Sequence, residues 1–187
     1  MYDINELKKG IKIEINDIPF SIIESQFVKP GKGQAFTRTK LKNLLNSNVI
    51  EKTYKSGEKL KPANIMDKAM SFLYEDGGKY IFMNNSTYEQ VEITKEQLDD
   101  SWKWLTENME VTVLFWNDNP ISVTLPNFSI LQITYCEPGI KGDTATNATK
   151  SATLSTGAII NVPLFINNEE YIKIDTRTEC YVERGKK

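Results

Sequence analysis

One lysine near the amino terminus stands where its amine could act at a distance from the rest of the chain. It is Lys32, set between two glycines in the stretch Lys29-Pro30-Gly31-Lys32-Gly33-Gln34. Proline fixes φ near about −65° and glycine tolerates positive φ, so this composition is typical of a tight turn between strands. The pattern predicts a narrow hairpin tip that can carry the amine into a confined space. A solvated turn lysine without a function is the alternative that the pattern leaves open.

The chain contains no histidine, which removes several classes of catalytic site. Serine–histidine and cysteine–histidine nucleophiles, histidine general bases and most zinc sites need an imidazole. The adjacent carboxylates of Asp99-Asp100 and Glu169-Glu170 are badly placed to face each other across a substrate. The tip also lacks the glycine spacing and the following Ser or Thr of a phosphate loop. A conventional hydrolase and a nucleotide-binding enzyme are therefore not expected, and no metal site is predicted.

Charge is distributed unevenly along the 187 residues, although the net charge is only −2. Residues 1–63 hold 12 Lys and Arg against 7 Asp and Glu, residues 64–127 hold 4 against 11, and residues 128–187 hold 7 of each. A basic front and an acidic middle suit a protein that touches nucleic acid with one end and avoids it with another. Chance clustering of surface charge is the alternative.

The composition also bears on where the protein works. Residues 1–9 are polar and charged, and no apolar run approaches the roughly 18 residues that span a bilayer. Neither export nor membrane insertion is expected. Cys136 and Cys180 match no metal spacing, so we predict free thiols in a reducing compartment. The expected location is the cytoplasm.

Alternating apolar and polar residues predict an all-β fold of short strands. Strand patterns at residues 11–16, 20–28, 35–44 and 49–55 predict a small barrel over residues 1–63. In the third of these strands, Arg38, Lys40 and Lys42 occupy alternate positions. Alternate residues of a strand share a face, so these cations should form a basic stripe.

A second unit is predicted over residues 64–126, after a polar segment at residues 56–63 where the charge changes sign. Hairpin patterns at residues 70–83 and 111–125 suit a small OB-type barrel. Between them a capping box of Thr94 and Gln97 predicts one short amphipathic helix, with apolar residues at helical spacing up to Met109. Of Trp102 and Trp104, one is predicted to be core and the other surface.

A third unit is predicted over residues 127–187 from strand patterns at residues 128–134, 158–163, 171–175 and 180–182. Residues 137–155 are predicted to be mainly a long loop. Part of this loop could hydrogen-bond single-stranded RNA or be a plain structural turn; it comprises Gly142, Asp143, Thr144, Ala145, Thr146 and Asn147. Tyr181 and Arg184 could pair stacking with a phosphate contact, although rim packing is favoured.

Several long motifs resemble bacterial elongation factor P over the full length of the chain. They are residues 27–44 around the lysine tip, Phe82-Met83-Asn84-Asn85, Pro120-Ile121-Ser122-Val123, residues 139–144, and residues 150–157 continuing to Val162-Pro163. The chain departs from the family pattern at Asn117-Asp118-Asn119 and at Glu169, where members often have glycine. Both departures concern the shape of a turn.

The resemblance implies a fold and a function. The fold is an SH3-like (KOW-type) barrel over residues 1–63 and two OB barrels over residues 64–126 and 127–187, elongated like a transfer RNA. The function is that of a non-enzymatic, monomeric translation factor that binds the ribosome between the peptidyl and exit sites. Such factors rescue ribosomes stalled at consecutive prolines. A paralogue with different stalling substrates and a freestanding OB-type RNA-binding protein are the alternatives.

The resemblance also implies roles for particular residues. Lys32 matches the tip lysine that contacts the CCA end of peptidyl-tRNA, and a modifying enzyme would extend it with a β-lysyl group, or alternatively with an aminopentanol group. No separate cofactor is implied. The residues themselves, apart from the resemblance, suggest the hypothesis that Arg38, Lys40 and Lys42 hold tRNA or rRNA phosphates, and Tyr181 and Arg184 could add an RNA contact. Residues 142–147 would face the exit-site codon of the messenger RNA. The implied partners are the ribosome, peptidyl-tRNA, especially prolyl, and that codon.

Overall fold

The computed structural model describes residues 1–138 and 148–186, and nearly all of their regular structure is β-strand. The strands are β1 (Tyr2–Asp3), β2 (Lys12–Ile15), β3 (Ile18–Val28), β4 (Phe36–Asn43), β5 (Val49–Lys55), β6 (Lys59–Pro62), β7 (Ile65–Asp76), β8 (Lys79–Asn84), β9 (Gln90–Thr94), β10 (Glu110–Trp116), β11 (Asn119–Thr124), β12 (Phe128–Cys136), β13 (Thr149–Leu154), β14 (Ile159–Pro163), β15 (Tyr171–Asp175) and β16 (Cys180–Arg184). They form three sheets. The predicted all-β class is confirmed.

The first sheet has six strands in the order β1-β6-β2-β3-β4-β5. Its longest hairpin joins β3 to β4, which pair from Phe20 opposite Asn43 to Val28 opposite Phe36. Ile13, Ile22 and Leu41 are fully buried in the core beneath this hairpin. Burying alternate side chains fixes the register of a strand, so the hairpin is a rigid support for the turn at its end.

Two strands of this sheet were not predicted. Residues 56–63 were expected to be a polar segment at a boundary, but residues 59–62 of it form β6, which pairs with β1 and β2. Leu60 is buried opposite Tyr2 and anchors both strands. A single apolar residue among lysines, and a strand of two residues, give no alternation to detect.

The second sheet has the order β11-β10-β7-β8-β9. The predicted hairpin is present as β7 and β8, with Gly77 and Gly78 in the turn between them. The Phe72 ring packs against those of Tyr80 and Phe82, with centroid distances of 6.0 and 5.4 Å. These aromatic side chains are buried and form part of the core beneath the sheet.

The predicted amphipathic helix is wrong in its extent. The Thr94 N–H donates to Gln97 Oε1 at 3.0 Å, as in a capping box, but the α-helix that follows, α1, covers only Lys95–Leu98. The α-helix ends there because its C-cap, Asp99, has φ 53° and ψ −130°, outside the helical region. A 3₁₀ helix continues to Trp104, and Met109 lies beyond it. Trp104 is buried and Trp102 is partly exposed, so the prediction of one core and one surface tryptophan is confirmed.

The third sheet has the order β14-β13-β12-β15-β16, and it corrects a second prediction. Residues 137–155 were expected to be mainly loop, yet residues 149–154 form β13, which pairs with both β12 and β14. Lys150, Ala152 and Leu154 are buried on one face of β13. The alternation was missed because one inward residue is a lysine, whose long aliphatic stem can pack against apolar groups.

Contacts between Cα atoms divide the chain into two compact units. One contains Met1–Asp67 with Leu114–Ser122, and the other contains Lys68–Val113 with Val123–Lys187. The boundaries expected near residues 63 and 126 are sequence predictions that this division does not test. In the described part of the chain, no helix is both long and apolar enough to cross a membrane.

Candidate nucleic-acid interface

The turn between β3 and β4 contains the predicted lysine tip. Lys29, Gly31, Lys32, Gly33 and Gln34 are all exposed. Gly33 has φ +111°, a backbone conformation that side chains with a Cβ rarely adopt, whereas Gly31 does not use positive φ. The left-handed turn expected from both glycines is therefore made by Gly33. Gly31 meets no neighbour that would exclude a side chain.

Lys32 itself extends from this turn without a partner. Within the described residues, its ammonium is in no hydrogen bond, ion pair or ring contact. An unpaired lysine keeps several freely rotating bonds along its side chain. The amine is therefore free to react with a modifying enzyme or to approach an anionic partner.

Aromatic and aliphatic side chains support the base of the tip. Val28 and Phe36 form the last cross-strand pair of the hairpin, and both are partly buried. The Arg38 guanidinium lies 5.5 Å from the centre of the Phe36 ring, which is a cation–π distance. Phe27 is half exposed at the same end of the hairpin. The tip therefore stands on an ordered, partly apolar base.

Arg38, Lys40 and Lys42 lie on one face of β4, as predicted. Their neighbours Thr37, Thr39 and Leu41 are buried, whereas the three cations point outward. In antiparallel strands, directly opposed residues lie on the same face. The cross-strand partners of these cations on β3 and β5 therefore share their surface, and that surface was not visible in the sequence.

Lys40 differs from the other two cations of this face. Its Nζ lies 2.8 Å from the Glu24 carboxylate and 4.0 Å from that of Glu51. The hydrogen bond and charge of Glu24, together with the charge of Glu51, raise the pKa of Lys40. Glu24 and Glu51 are the directly opposed residues on β3 and β5. Cross-strand register, not sequence spacing, brings these three charges together.

The second predicted RNA contact lies near the carboxyl terminus, and its side chains make packing contacts within the protein. Arg184 Nη2 donates to the Phe165 carbonyl oxygen at 3.0 Å, and Arg184 Nε lies 3.3 Å from Glu170 Oε2. The guanidinium also lies 5.1 Å from the Phe165 ring centre. Tyr181 packs against the core of the third sheet. These contacts agree with the packing alternative, and the RNA contact of Tyr181 and Arg184 stays a prediction.

The two departures from the family pattern keep a left-handed backbone without glycine. Asn117 and Asp118 have φ 47° and 64°, and Glu169 has φ 65°. Asn and Asp tolerate this region because their short side chains bond locally, while a glutamate there is strained. The turns therefore have the shape that glycine would favour.

Metal-ligating residue types and cysteine thiols are the remaining chemically active groups of the described ranges, 1–138 and 148–186. These ranges contain no group of three or more His, Cys, Asp and Glu that could hold a metal ion. Cys136 is buried and Cys180 is exposed, and both are free thiols, as predicted. The predicted codon loop at residues 142–147 lies outside these ranges.

Comparison with known solved structures supports the fold. Over 66% of this chain and 91% of the other, the structure is similar to that of eukaryotic translation initiation factor 5A from Methanococcus jannaschii, with a TM-score of 0.55 and 21% identity. A translation initiation factor eIF-5A family protein from Naegleria fowleri matches over 66% and 96% of the two chains, with a TM-score of 0.50 and 17% identity. At such identities the likeness concerns the fold alone.

Comparison with protein families covers almost the whole chain. The elongation factor P KOW-like domain matches residues 3–60, the elongation factor P OB domain matches residues 65–123, and the elongation factor P C-terminal model matches residues 130–184. Elongation factor P of Natranaerobius thermophilus is 50% identical over 186 residues, which cover 100% of this chain and 99% of that protein. The N-terminal sheet therefore belongs to a KOW-like domain, and the chain is a member of the elongation factor P family of translation factors.

Proposed function

We propose that this protein binds the ribosome between the peptidyl and exit sites and stimulates peptide-bond formation where consecutive prolines stall it. Membership of the elongation factor P family supports a role in translation. Three family matches in order along one chain also argue against a freestanding OB-type RNA-binding protein. The observation that carries the proposal is Lys32, exposed at the end of the paired β3–β4 hairpin and unpaired within the described ranges.

The proposed mechanism is positioning. Proline is a rigid and poorly nucleophilic acceptor, so the reacting ends of the two tRNAs spend little time in an attack-ready geometry. Lys32 would reach the CCA end of peptidyl-tRNA and hold it there, which lowers the entropic part of the barrier without a proton-transfer group. A chain that lacks histidine can do this, and the ribosome remains the catalyst. The remaining predicted contacts would hold the factor in register on its RNA partners.

A reporter with consecutive prolines tests the proposal. In translation reactions limited by a Pro-Pro-Pro stretch, the parent protein should restore the full-length product and Lys32→Ala should not. Lys29→Ala removes a neighbouring exposed lysine of the same turn and is the matched control. Equal rescue by the parent and by Lys32→Ala would contradict the proposal.

We further propose that Lys32 is enzymatically extended, with a β-lysyl group favoured and an aminopentanol group as the alternative. The unpaired amine is open to a modifying enzyme. The intact mass of the protein from its native host, together with the mass of the peptide containing Lys32, decides between the two groups. An unmodified Lys32 would overturn this part of the proposal while leaving the positioning role testable.

A further inference from the structure

Side chains on the outward face of β3, β4 and β5 form successive rows that cross the three strands. Starting at the tip, the rows are Val28–Phe36–Lys55, then Gln26–Arg38–Thr53, then Glu24–Lys40–Glu51, and last Ser21–Lys42–Val49. Each row follows the observed cross-strand partners. The first, second and last rows therefore carry a net positive charge and the third a net negative charge, although the sequence of β4 alone shows an uninterrupted basic stripe.

The third row carries two negative charges and one positive charge. Lys40 lies within ion-pair distance of both Glu24 and Glu51, whose side chains are 64% and 77% exposed. An RNA phosphate that approached Lys40 would have to displace carboxylates already bound to it and would be repelled by both. Such repulsion acts over several ångströms at physiological salt. This row therefore disfavours a polyanion.

The first two rows have the opposite character. A groove of about 470 Å³ is lined by Gln34, Phe36, Arg38, Thr53 and Lys55, with two cations and no carboxylate among the lining residues. In the described part of the chain the Lys55 ammonium forms no ion pair, and Glu58 accepts a hydrogen bond from the main-chain N–H of Lys55. The groove therefore offers two cations, with no carboxylate in its lining, immediately beside the tip.

Arg38 and Lys55 are placed to act together. Lys55 is opposite Phe36, two residues before Arg38 on β4, so Arg38 and Lys55 are diagonal cross-strand neighbours. Diagonal neighbours lie about 7–8 Å apart, which long side chains can span. Arginine presents a planar fork and lysine a point charge, and the two can share one phosphate group.

We propose that RNA bound by this protein places one phosphate between Arg38 and Lys55 in this groove, and that Lys40 takes no phosphate because Glu24 and Glu51 hold it. The inference rests on the proposed function, to which it adds Lys55 and from which it removes Lys40. It also sets the end of the RNA footprint on this face at the row of Glu24, Lys40 and Glu51.

Salt dependence of binding tests the proposal, because each neutralised phosphate contributes about 0.7–0.9 to the slope of log affinity against log salt. The full-length chain is titrated against ribosomes that hold a peptidyl-site tRNA and, in parallel, against free tRNA. The double variant Arg38→Gln, Lys55→Gln should reduce the magnitude of this negative slope by about 0.7–0.9, the value for a single phosphate. The triple variant Glu24→Gln, Lys40→Gln, Glu51→Gln replaces the three charges of its row with neutral amides, and it should keep the slope and bind at least as tightly.

The outcomes separate the inference from the proposed function. An unchanged slope in the Arg38 and Lys55 double variant, or a slope of smaller magnitude in the triple variant, would overturn the inference. Failure of the parent to bind ribosomes would contradict the proposed function, while its salt-dependent binding to free tRNA would still show which side chains take the phosphate. Absence of salt-dependent binding to both RNAs would overturn both.

Discussion

The hydroxyl of Ser129 donates a 2.8 Å hydrogen bond to the main-chain carbonyl oxygen of Trp104, and the Trp104 indole is buried in the core of the third sheet. Thr156 Oγ1 makes a similar bond of 2.7 Å to the carbonyl oxygen of Lys103. The 3₁₀ helix, which lies between β9 and β10 of the second sheet in sequence, therefore supplies a core residue to the third sheet. All of these residues lie in the second compact unit.

Trp104→Ala should destabilise the third sheet severely. Removing a fully buried tryptophan leaves a cavity and costs about 3–5 kcal/mol. Urea unfolding, monitored by far-ultraviolet circular dichroism, measures the loss of stability. Trp102→Ala is the control, since Trp102 is partly exposed and contacts the Lys95 ammonium at 3.9 Å from its ring centre. Equal losses in the two variants would contradict the assignment of Trp104 to this core.

Glu169→Gly should stabilise the protein. Glu169 has φ 65°, and a residue with a Cβ pays about 1–2 kcal/mol in the left-handed region, partly offset by the flexibility that glycine adds to the unfolded chain. The hydrogen bond from the Glu169 N–H to the Ile133 carbonyl oxygen uses only the main chain and is retained. The expected gain is up to about 1 kcal/mol in the same unfolding assay. Glu169→Ala should show no such gain, so equal gains in stability for the two variants would contradict the explanation.

Tyr54 should make stability fall at alkaline pH. Among the residues that the structure describes, its buried phenol has no hydrogen-bond partner, and burial, helped by the charge of Glu58, raises its pKa to about 12. A raised pKa means that the folded state resists ionisation, so the stabilisation is complete below about pH 10, the unfolded pKa, and is lost as the pH rises towards 12. Tyr54→Phe should be neutral or slightly stabilising at pH 7 and should flatten this loss. An identical loss of stability at alkaline pH in the parent and in Tyr54→Phe would contradict the assignment of this loss to Tyr54.

Asp175 should make stability fall at acid pH. Hydrogen bonds from the Arg177 side chain, at 2.7 and 3.1 Å, and from its main chain lower the pKa of Asp175 to about 2. A lowered pKa stabilises the folded state above about pH 4, the pKa of Asp in the unfolded chain, and this stabilisation is lost as the pH falls towards 2. Asp175→Asn should remove that part of the acid dependence, measured as the difference between unfolding curves at pH 6 and pH 3. The prediction fails if parent and variant keep the same difference.

The hairpin that supports Lys32 was predictable because its signals are local. Alternating residues specify β3 and β4, and Pro30 and Gly33 specify the turn between them. The charge rows on its outer face were not predictable, because they depend on cross-strand register. A register shift between Ile22 and Glu24 decides which residue of β3 faces Lys40, and no local pattern reports such a shift.

The burial of Trp104 was only half predictable. The sequence indicated that one tryptophan of the pair would be core but did not indicate which, because the answer depends on where α1 ends and the 3₁₀ helix begins. β13 was missed for a related reason, since Lys150 is buried by tertiary packing that composition does not reveal.

The central claim is that the Lys32 amine positions the end of peptidyl-tRNA, and the rate of peptide-bond formation on purified stalled ribosomes tests it most directly. With saturating protein from the native host, the parent should accelerate bond formation between successive prolines. Lys32→Ala should bind the ribosome with similar affinity and leave the rate at the value seen without the factor. Acceleration by Lys32→Ala equal to that of the parent would contradict the account.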